Sequence, residues 1–399
     1  MGTTSDIRDL LRECPEEVKL GVPHHGGSFW TPRQRQAAPL HEVSYRACFK
    51  PQLPRFFIEG LTRPGDLVYD PFSGRGTTAL EAALLGRRAA ANDVNPLARI
   101  LLAPRLAPPA SEAVAARLAQ IPLANDEAAT WGMFFHPDTE REIRAYRAWF
   151  AAREAEGTFD GVDAWIRMVA TNRLTGHSAG FFSVYTLPPN QAVRPDKQEA
   201  INRRLGQVPP YRDTRALILR KTASLLKGLG EAERSRLAAA QPRLLTGPAD
   251  ATPELADGSV ALTVTSPPFL DVVQYADDNW LRCWFCGLDA EALGRAITQA
   301  RTVAAWSEAM GRVFRELARV TAPGGHVAFE VGEVRKGTVQ LEEAVLPLGA
   351  AAGLEPVAVL LNRQTFTKTA NIWGIANNAR GTNTNRIVLF RKGDPRPCD

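Results

Sequence analysis

The stretch from Leu67 to Asp93 constrains the fold most, because it reads as one strand–loop–helix–strand unit. Leu67-Val68-Tyr69 is a short apolar run, followed by a loop that carries Pro71, Gly74 and Gly76. Thr77 to Leu85 has helical spacing, and Arg88 to Ala91 reads as a second strand ending at Asn92-Asp93. Thr78 followed by Glu81 has the spacing of a capping box, and Gly86 is placed to end the helix. Two strands joined through a helix run parallel, and their sheet needs helices on its faces.

The same alternation returns near the C-terminal end. Val260 to Thr265 and His326 to Val331 read as buried strands, the second after the turn Pro323-Gly324-Gly325. Pro356 to Leu361 and Arg386 to Phe390 complete the set. Between about Pro104 and Pro242 helical periodicity dominates, clearest over Glu140 to Phe150, Ala164 to Arg173 and Arg215 to Leu229. Phe181 to Pro210, with five prolines, reads as loop, and the first forty residues read as irregular. The spacing therefore predicts an α/β, Rossmann-like doubly wound sheet at 45–105 and 243–392. It is interrupted by a mainly helical insertion at 106–242 and preceded by an N-terminal arm at 1–44.

Composition narrows the function classes. With 399 residues, 45% hydrophobic and 23% charged, the chain can bury a sizeable core without metal or disulfide staples. No run approaches the roughly 18 apolar residues of a membrane span, and Met1 to Leu20 has no apolar core, so no membrane partner and a cytoplasmic location are expected. Five scattered cysteines fit a reducing compartment; Cys283 and Cys286 read as inert helical thiols. The six histidines are not at ligand spacing, so no metal is expected. A formal charge of +5 tilts the partner toward anions such as nucleic acid.

Asp70-Pro71-Phe72-Ser73-Gly74-Arg75-Gly76-Thr77-Thr78 sits where a first strand turns into a first helix, the place where open α/β sheets bind ligands. Asp93 follows Asp70 by twenty-three positions, a spacing that suits a carboxylate accepting hydrogen bonds from a ribose. A third glycine and a Gly-Lys-Ser/Thr are both missing, which disfavours a pyrophosphate and favours a nucleoside with a cationic arm. A ligand-free turn or a nicotinamide site would use the same glycines. Thr265-Ser266-Pro267-Pro268-Phe269 follows another strand. To methylate an exocyclic amine, two acceptors must draw on its N–H bonds and free the nitrogen lone pair. The Ser266 hydroxyl and the Pro267 carbonyl can do so, and Phe269 can stack on an extruded base. A purely structural Pro-Pro turn would look the same.

Taken together, the two loops resemble those of the amino-methyltransferases that modify DNA at cytosine N4 or adenine N6. Asp70 to Thr77 looks like that family's cofactor motif, and Thr265-Ser266-Pro267-Pro268-Phe269 like its catalytic motif in the serine form commoner among cytosine-N4 enzymes. Phe269 departs from the usual tyrosine. Tyr45 to Leu53, with Tyr45, Phe49 and Pro51, resembles the segment that packs on the cofactor's methionine part. Asn92-Asp93-Val94-Asn95-Pro96 resembles the ribose turn, and Asp250 falls where the family has an acid near the adenine.

The resemblance implies a seven-stranded, mostly parallel sheet with one antiparallel strand near its edge. It implies S-adenosyl-L-methionine as cofactor, bound by Tyr45, Phe49, Pro51, Asp70, Pro71, Phe72, Gly74, Gly76, Thr77, Asp93, Asn95 and Asp250. It further implies double-stranded DNA as partner, a restriction-modification or orphan role with a possible cognate restriction endonuclease, and a target-recognition role for the insertion. There Arg194, Lys197, Arg203, Arg204, Arg212, Arg215, Arg220 and Lys221 suit phosphates, while Asn172, Asn190 and Gln191 suit base edges. Adenine N6, an RNA base, and a silent nucleic-acid-binding protein are the rival readings.

Overall fold

Every residue of Leu67–Asp70 is buried, which requires a strand covered on both faces and so places it in the middle of a parallel sheet. The computed structural model describes residues 7–30, 37–45, 48–124, 127–186, 192–268, 275–297, 300, 302–334, 339–364 and 383–394. A short α1 (Ile7–Leu10) leads to β1 (Glu17–Lys19) and β2 (Val22–Gly27). The first wound unit is α2 (Gln52–Leu61), β3 (Leu67–Asp70), α3 (Thr77–Leu84), β4 (Arg88–Asn92) and α4 (Leu97–Leu106). Helices α5 (Ser111–Gln120), α6 (Pro137–Ala155), α7 (Gly161–Arg173), α8 (Pro195–Leu205), α9 (Thr214–Leu226) and α10 (Glu231–Ala239) follow. The second half holds β5 (Arg243–Leu245), β6 (Val260–Thr265), α11 (Tyr275–Cys286), α12 (Ala290–Ala296), α13 (Val303–Val320) and β7 (Thr321–Val331). It ends with the two-residue strands β8 (Glu333–Val334) and β9 (Val339–Gln340), then α14 (Leu341–Ala351), β10 (Leu354–Gln364) and β11 (Asn383–Lys392).

The main sheet runs β1-β2-β10-β11-β7-β6-β3-β4-β5. Its pairs from β5 through β4, β3 and β6 to β7 are parallel, and β11 is antiparallel to both β7 and β10. From β5 to β10 these seven strands form a doubly wound, mostly parallel sheet with its antiparallel strand next to the edge. The chain reverses its direction of winding between β3 and β6, so the carboxyl ends of these two strands flank the switch point where such sheets take ligands.

The sheet has nine strands, not seven. The N-terminal arm is not irregular throughout: β2 pairs parallel with β10, from His24 beside Val359 to Gly27 beside Asn362, and β1 folds back on β2. Without them the backbone edge of β10 would be open to foreign pairing. Two further expectations need correction. Phe181 to Pro210 is not loop throughout, because α8 forms after Arg194 with Pro195 at its first turn, where a missing N–H costs nothing. The Thr78/Glu81 capping box does not form either. Gly76 is the N-cap of α3, Thr78 Oγ1 donates to the Val264 carbonyl at 3.0 Å, and Glu81 is buried against His41 and Arg55 at 2.7 Å each.

Alternate residues of β3 feed two cores. Val68 joins the face covered by α2, α3 and α4, while Leu67 and Tyr69 join the face covered by α13 and α14. Trp165, Ile166 and Phe150 of the helical segment belong to the first of these cores, so α6 and α7 are packed into the sheet's own interior. No described helix is long and apolar enough to cross a membrane.

Candidate active site

The loop after β3 is held by the strand beside it. Thr265 Oγ1 donates to Asp70 Oδ1 at 2.6 Å, and the Phe72 N–H reaches the same oxygen at 3.2 Å. Gly74 (φ +51°) and Gly76 (φ +76°) both take the left-handed conformation that a side chain disfavours. They do different jobs. A Cβ on Gly74 would stand an ordinary 3.6 Å from Tyr45 and Cys48 across the cleft, whereas one on Gly76 would meet Leu102 at 2.5 Å. Gly76 therefore packs α3 on α4 and, unlike Gly74, is not among the residues that line the cleft.

Asp93 ties the second loop to the first. Its Oδ2 accepts from the Gly74 N–H at 2.8 Å and its Oδ1 from the Asn95 N–H at 2.9 Å. Asn95 Nδ2 donates to the Tyr45 hydroxyl at 3.4 Å, and Asn92 Nδ2 bridges the Pro71 and Gly247 carbonyls at 3.3 and 3.0 Å. Three strand-end loops are thus locked to one another before any ligand arrives. Sequence reasoning had missed the clamp beneath them. Arg75 Nη1 donates to the Val43 carbonyl at 2.9 Å and its Nη2 to that of Phe49 at 3.3 Å, holding the segment that presents Tyr45 and Phe49. Arg105 Nη1 donates to the Leu40 carbonyl at 3.2 Å and its Nη2 to that of Arg75. Burial, with Arg75 adding to it, pushes the Arg105 guanidinium down to about 9.

One cleft gathers most of the residues singled out in the sequence. Tyr45, Phe49, Asp70, Pro71, Phe72, Gly74, Thr77, Asp93, Asn95, Asp250, Ser266 and Pro268 all line it. Pro267 is buried within the turn between two lining residues. Pro51 lies elsewhere: it is the N-cap of α2 and lines a separate cavity with Arg55 and Glu81. Phe269, Asn190, Gln191 and the Arg33–Gln36 cluster lie outside the described residues.

The opposite wall was not anticipated. Trp306, Ala309, Met310 and Val313 present one face of α13 to the cleft, and Arg312 of that helix pairs with Asp250 at 3.0 Å. Among the insertion residues, Asn172 is buried and donates to the Ser44 carbonyl at 3.0 Å, and Lys221 pairs with Glu42 at 3.3 Å. Buried Asn172 is not placed to read a base edge, and Lys221, expected on a phosphate, has Glu42 as its partner. Arg194, Lys197, Arg203 and Arg204, on or beside α8, are exposed.

The cleft disfavours its own negative charge. Burial raises Asp70 to about 7 and Asp93 to about 6, against the hydrogen bonds that both accept. A carboxyl whose folded pKa is raised stabilises the protein fully below its unfolded value near 3.8, and that contribution is lost as pH rises through the folded pKa. Asp70→Asn keeps the acceptor for Thr265 but never ionises. Its melting temperature relative to wild type is therefore expected to climb between pH 5 and pH 8, in calorimetry of the ligand-free protein. A difference that stays flat with pH would refute the buried, reluctant carboxyl.

A family model described as DNA methylase matches residues 21–98. No curated protein matches the chain. Solved structures similar to it include a geranyl diphosphate methyltransferase, 11% identical with a TM-score of 0.33, over 85% of this chain and 78% of that one. A putative DNA modification methylase from Thermus thermophilus is 22% identical with a TM-score of 0.22, over 38% and 54%. An rRNA methyltransferase from Streptomyces viridochromogenes is 14% identical with a TM-score of 0.35, over 89% and 90%. Scores this low say nothing of the substrate. The matched segment runs from the start of β2 to the start of α4 and so contains Tyr45, the Asp70–Thr77 loop and Asp93. The likeness to the DNA amino-methyltransferases read from the sequence is therefore met independently by the DNA methylase family model over the segment that builds the first two loops of the cleft.

Proposed function

We propose that this chain transfers a methyl group from S-adenosyl-L-methionine to the exocyclic N4 amine of a cytosine extruded from duplex DNA. The observation that carries the reading is that Gly74 and Ser266, 192 positions apart, line the same cleft at the sheet's switch point. The charge of the cleft supports a cationic ligand. Asp70, Asp93 and Asp250 face it against one lining cation among the described residues, Arg312, and burial has already made the two deepest carboxylates costly anions. A pyrophosphate would add charge of the wrong sign, which speaks against a nicotinamide dinucleotide.

Bound there, S-adenosyl-L-methionine would supply an electrophilic methyl group on its sulfonium, the methyl C–S bond breaking as the N–C bond forms, with S-adenosyl-L-homocysteine leaving as a neutral thioether and the cationic N-methylamine losing its extra proton to water. The chain's residues do the rest. Gly74 lets backbone come close to the ligand, Asp93 and Asn95 hold the ribose side of the cleft, and Tyr45 and Phe49 pack over the loop. Ser266 Oγ and the Pro267 carbonyl accept the two amine N–H bonds, which localises the lone pair on nitrogen as attack proceeds. Phe269 stacks on the base. The helical segment 106–242 serves target recognition, with Arg194, Lys197, Arg203 and Arg204 on phosphates. Cytosine is favoured over adenine by the serine at position 266.

The decisive experiment is nucleoside mass spectrometry, with long-read modification mapping, on DNA from cells expressing the protein. N4-methylcytosine at a fixed sequence context is expected, and it should vanish in a Ser266→Ala strain. N6-methyladenine alone would replace the proposed target base. Label appearing in RNA but not in duplex DNA would overturn the substrate.

A further inference from the structure

We propose that Trp306 is a positioning residue for the Ser266-Pro267-Pro268 turn, its indole N–H fixing the direction in which the turn presents its acceptors to the amine. The inference rests on the function proposed above and extends it to a residue outside both loops. Two successive prolines leave the turn with no N–H of its own beyond Ser266, so it cannot be braced by its own backbone donors. Among the described residues the bracing comes from side chains, supplied by three elements. Thr78 of α3 holds the Val264 carbonyl, Thr265 is held to Asp70, and Trp306 Nε1 of α13 donates to the Pro268 carbonyl at 2.9 Å.

The first two bonds fix the strand before the turn. Among the described residues, the third alone holds the turn beyond Ser266. Trp306 is 2% exposed, so its indole N–H has little access to water and is committed to that carbonyl, and α13 is a helix of 18 residues with Trp306 in its first turn. Proline restricts φ on both sides of the Pro267 carbonyl, so pinning the Pro268 carbonyl toward α13 also limits where the Pro267 carbonyl can point. Because Met310 and Val313 of the same helix face line the cleft, the wall around the ligand and the brace on the turn are one rigid body.

The test separates the donor from the bulk of the ring. Trp306→Phe, and a variant carrying 3-benzothienylalanine at 306 by nonsense suppression, both lose the N–H; the second keeps the shape of the indole. Both are expected to lower kcat on duplex DNA by about 10- to 100-fold, the scale of a small misplacement of reacting groups. Because the Trp306 ring lines the cleft, it is the benzothienylalanine protein, which keeps that ring's shape, whose KM and calorimetric Kd for S-adenosyl-L-methionine should stay within about twofold of wild type. A benzothienylalanine protein with wild-type kcat would overturn the proposal and leave Trp306 as packing alone. Wild-type protein that binds the cofactor yet labels no nucleic acid would instead sink the function. The brace is then decided by exchange of the Trp306 indole proton in ¹⁵N-tryptophan spectra. Slow exchange supports the bond, and exchange at the rate of an exposed indole refutes it.

Discussion

Ser266→Ala is expected to lower methyl transfer by roughly two to three orders of magnitude while S-adenosyl-L-methionine binds within about twofold of wild type. The asymmetry follows from where the residue stands. Ser266 belongs to the loop after β6, and the contacts that hold the cofactor loop together run through Gly74, Asp93 and Asn95 and, on the β6 side, through Thr265 and not through Ser266. Removing one hydroxyl leaves those contacts intact. The amine, however, loses one of two acceptors at the moment its nitrogen rehybridises, an interaction needed more in the transition state than in the ground state. Single-turnover transfer from labelled cofactor to a duplex, beside calorimetric titration of the cofactor, reads both quantities. A parallel loss of binding and turnover would show that Ser266 supports the cofactor, not the amine.

The parts of this site that could be read in the sequence are those whose chemistry and backbone geometry coincide. A glycine pair after an apolar run, an acid at the next strand end and a Ser-Pro-Pro after a third strand each carry a local signature. The α13 wall carries none. Trp306, Met310 and Val313 fall at i, i+4 and i+7, the spacing of any amphipathic helix, and periodicity cannot tell a face on a cleft from a face on a core. Nothing local marks Arg75 and Arg105 as a buried clamp, because their acceptors are carbonyls, which every residue possesses. β2, as Val22-Pro23-His24-His25-Gly26-Gly27, has little strand propensity and pairs because the edge of β10 is there to receive it. Glu81 has capping-box spacing, but buried His41 and half-exposed Arg55 compete for the same carboxylate, and that competition is tertiary.

The largest stability change is expected from Gly76→Ala, at roughly 2–5 kcal/mol. Two costs add. At φ +76° a Cβ crowds the following carbonyl, worth about 1–2 kcal/mol. The new methyl would also stand 2.5 Å from Leu102 Cδ1, and Leu102 is 1% exposed inside the packing of α3 on α4, so relieving the clash costs about 1–3 kcal/mol more. The protein supplies its own control. Gly65 has φ +88°, yet a Cβ there would meet nothing within 4 Å, so Gly65→Ala should show the backbone cost alone. Gly76→Ala combined with Leu102→Ala should recover the steric part and none of the backbone part, a coupling that a double-mutant cycle in urea isolates. Cofactor affinity should fall with Gly76→Ala and hold with Gly65→Ala, because the Gly76 N–H closes the loop onto the Ser73 carbonyl at 2.6 Å. If the two alanine variants lose the same stability, α3 is not seated on α4 through Gly76, and the cofactor loop owes its shape to Asp93 and Arg75 alone.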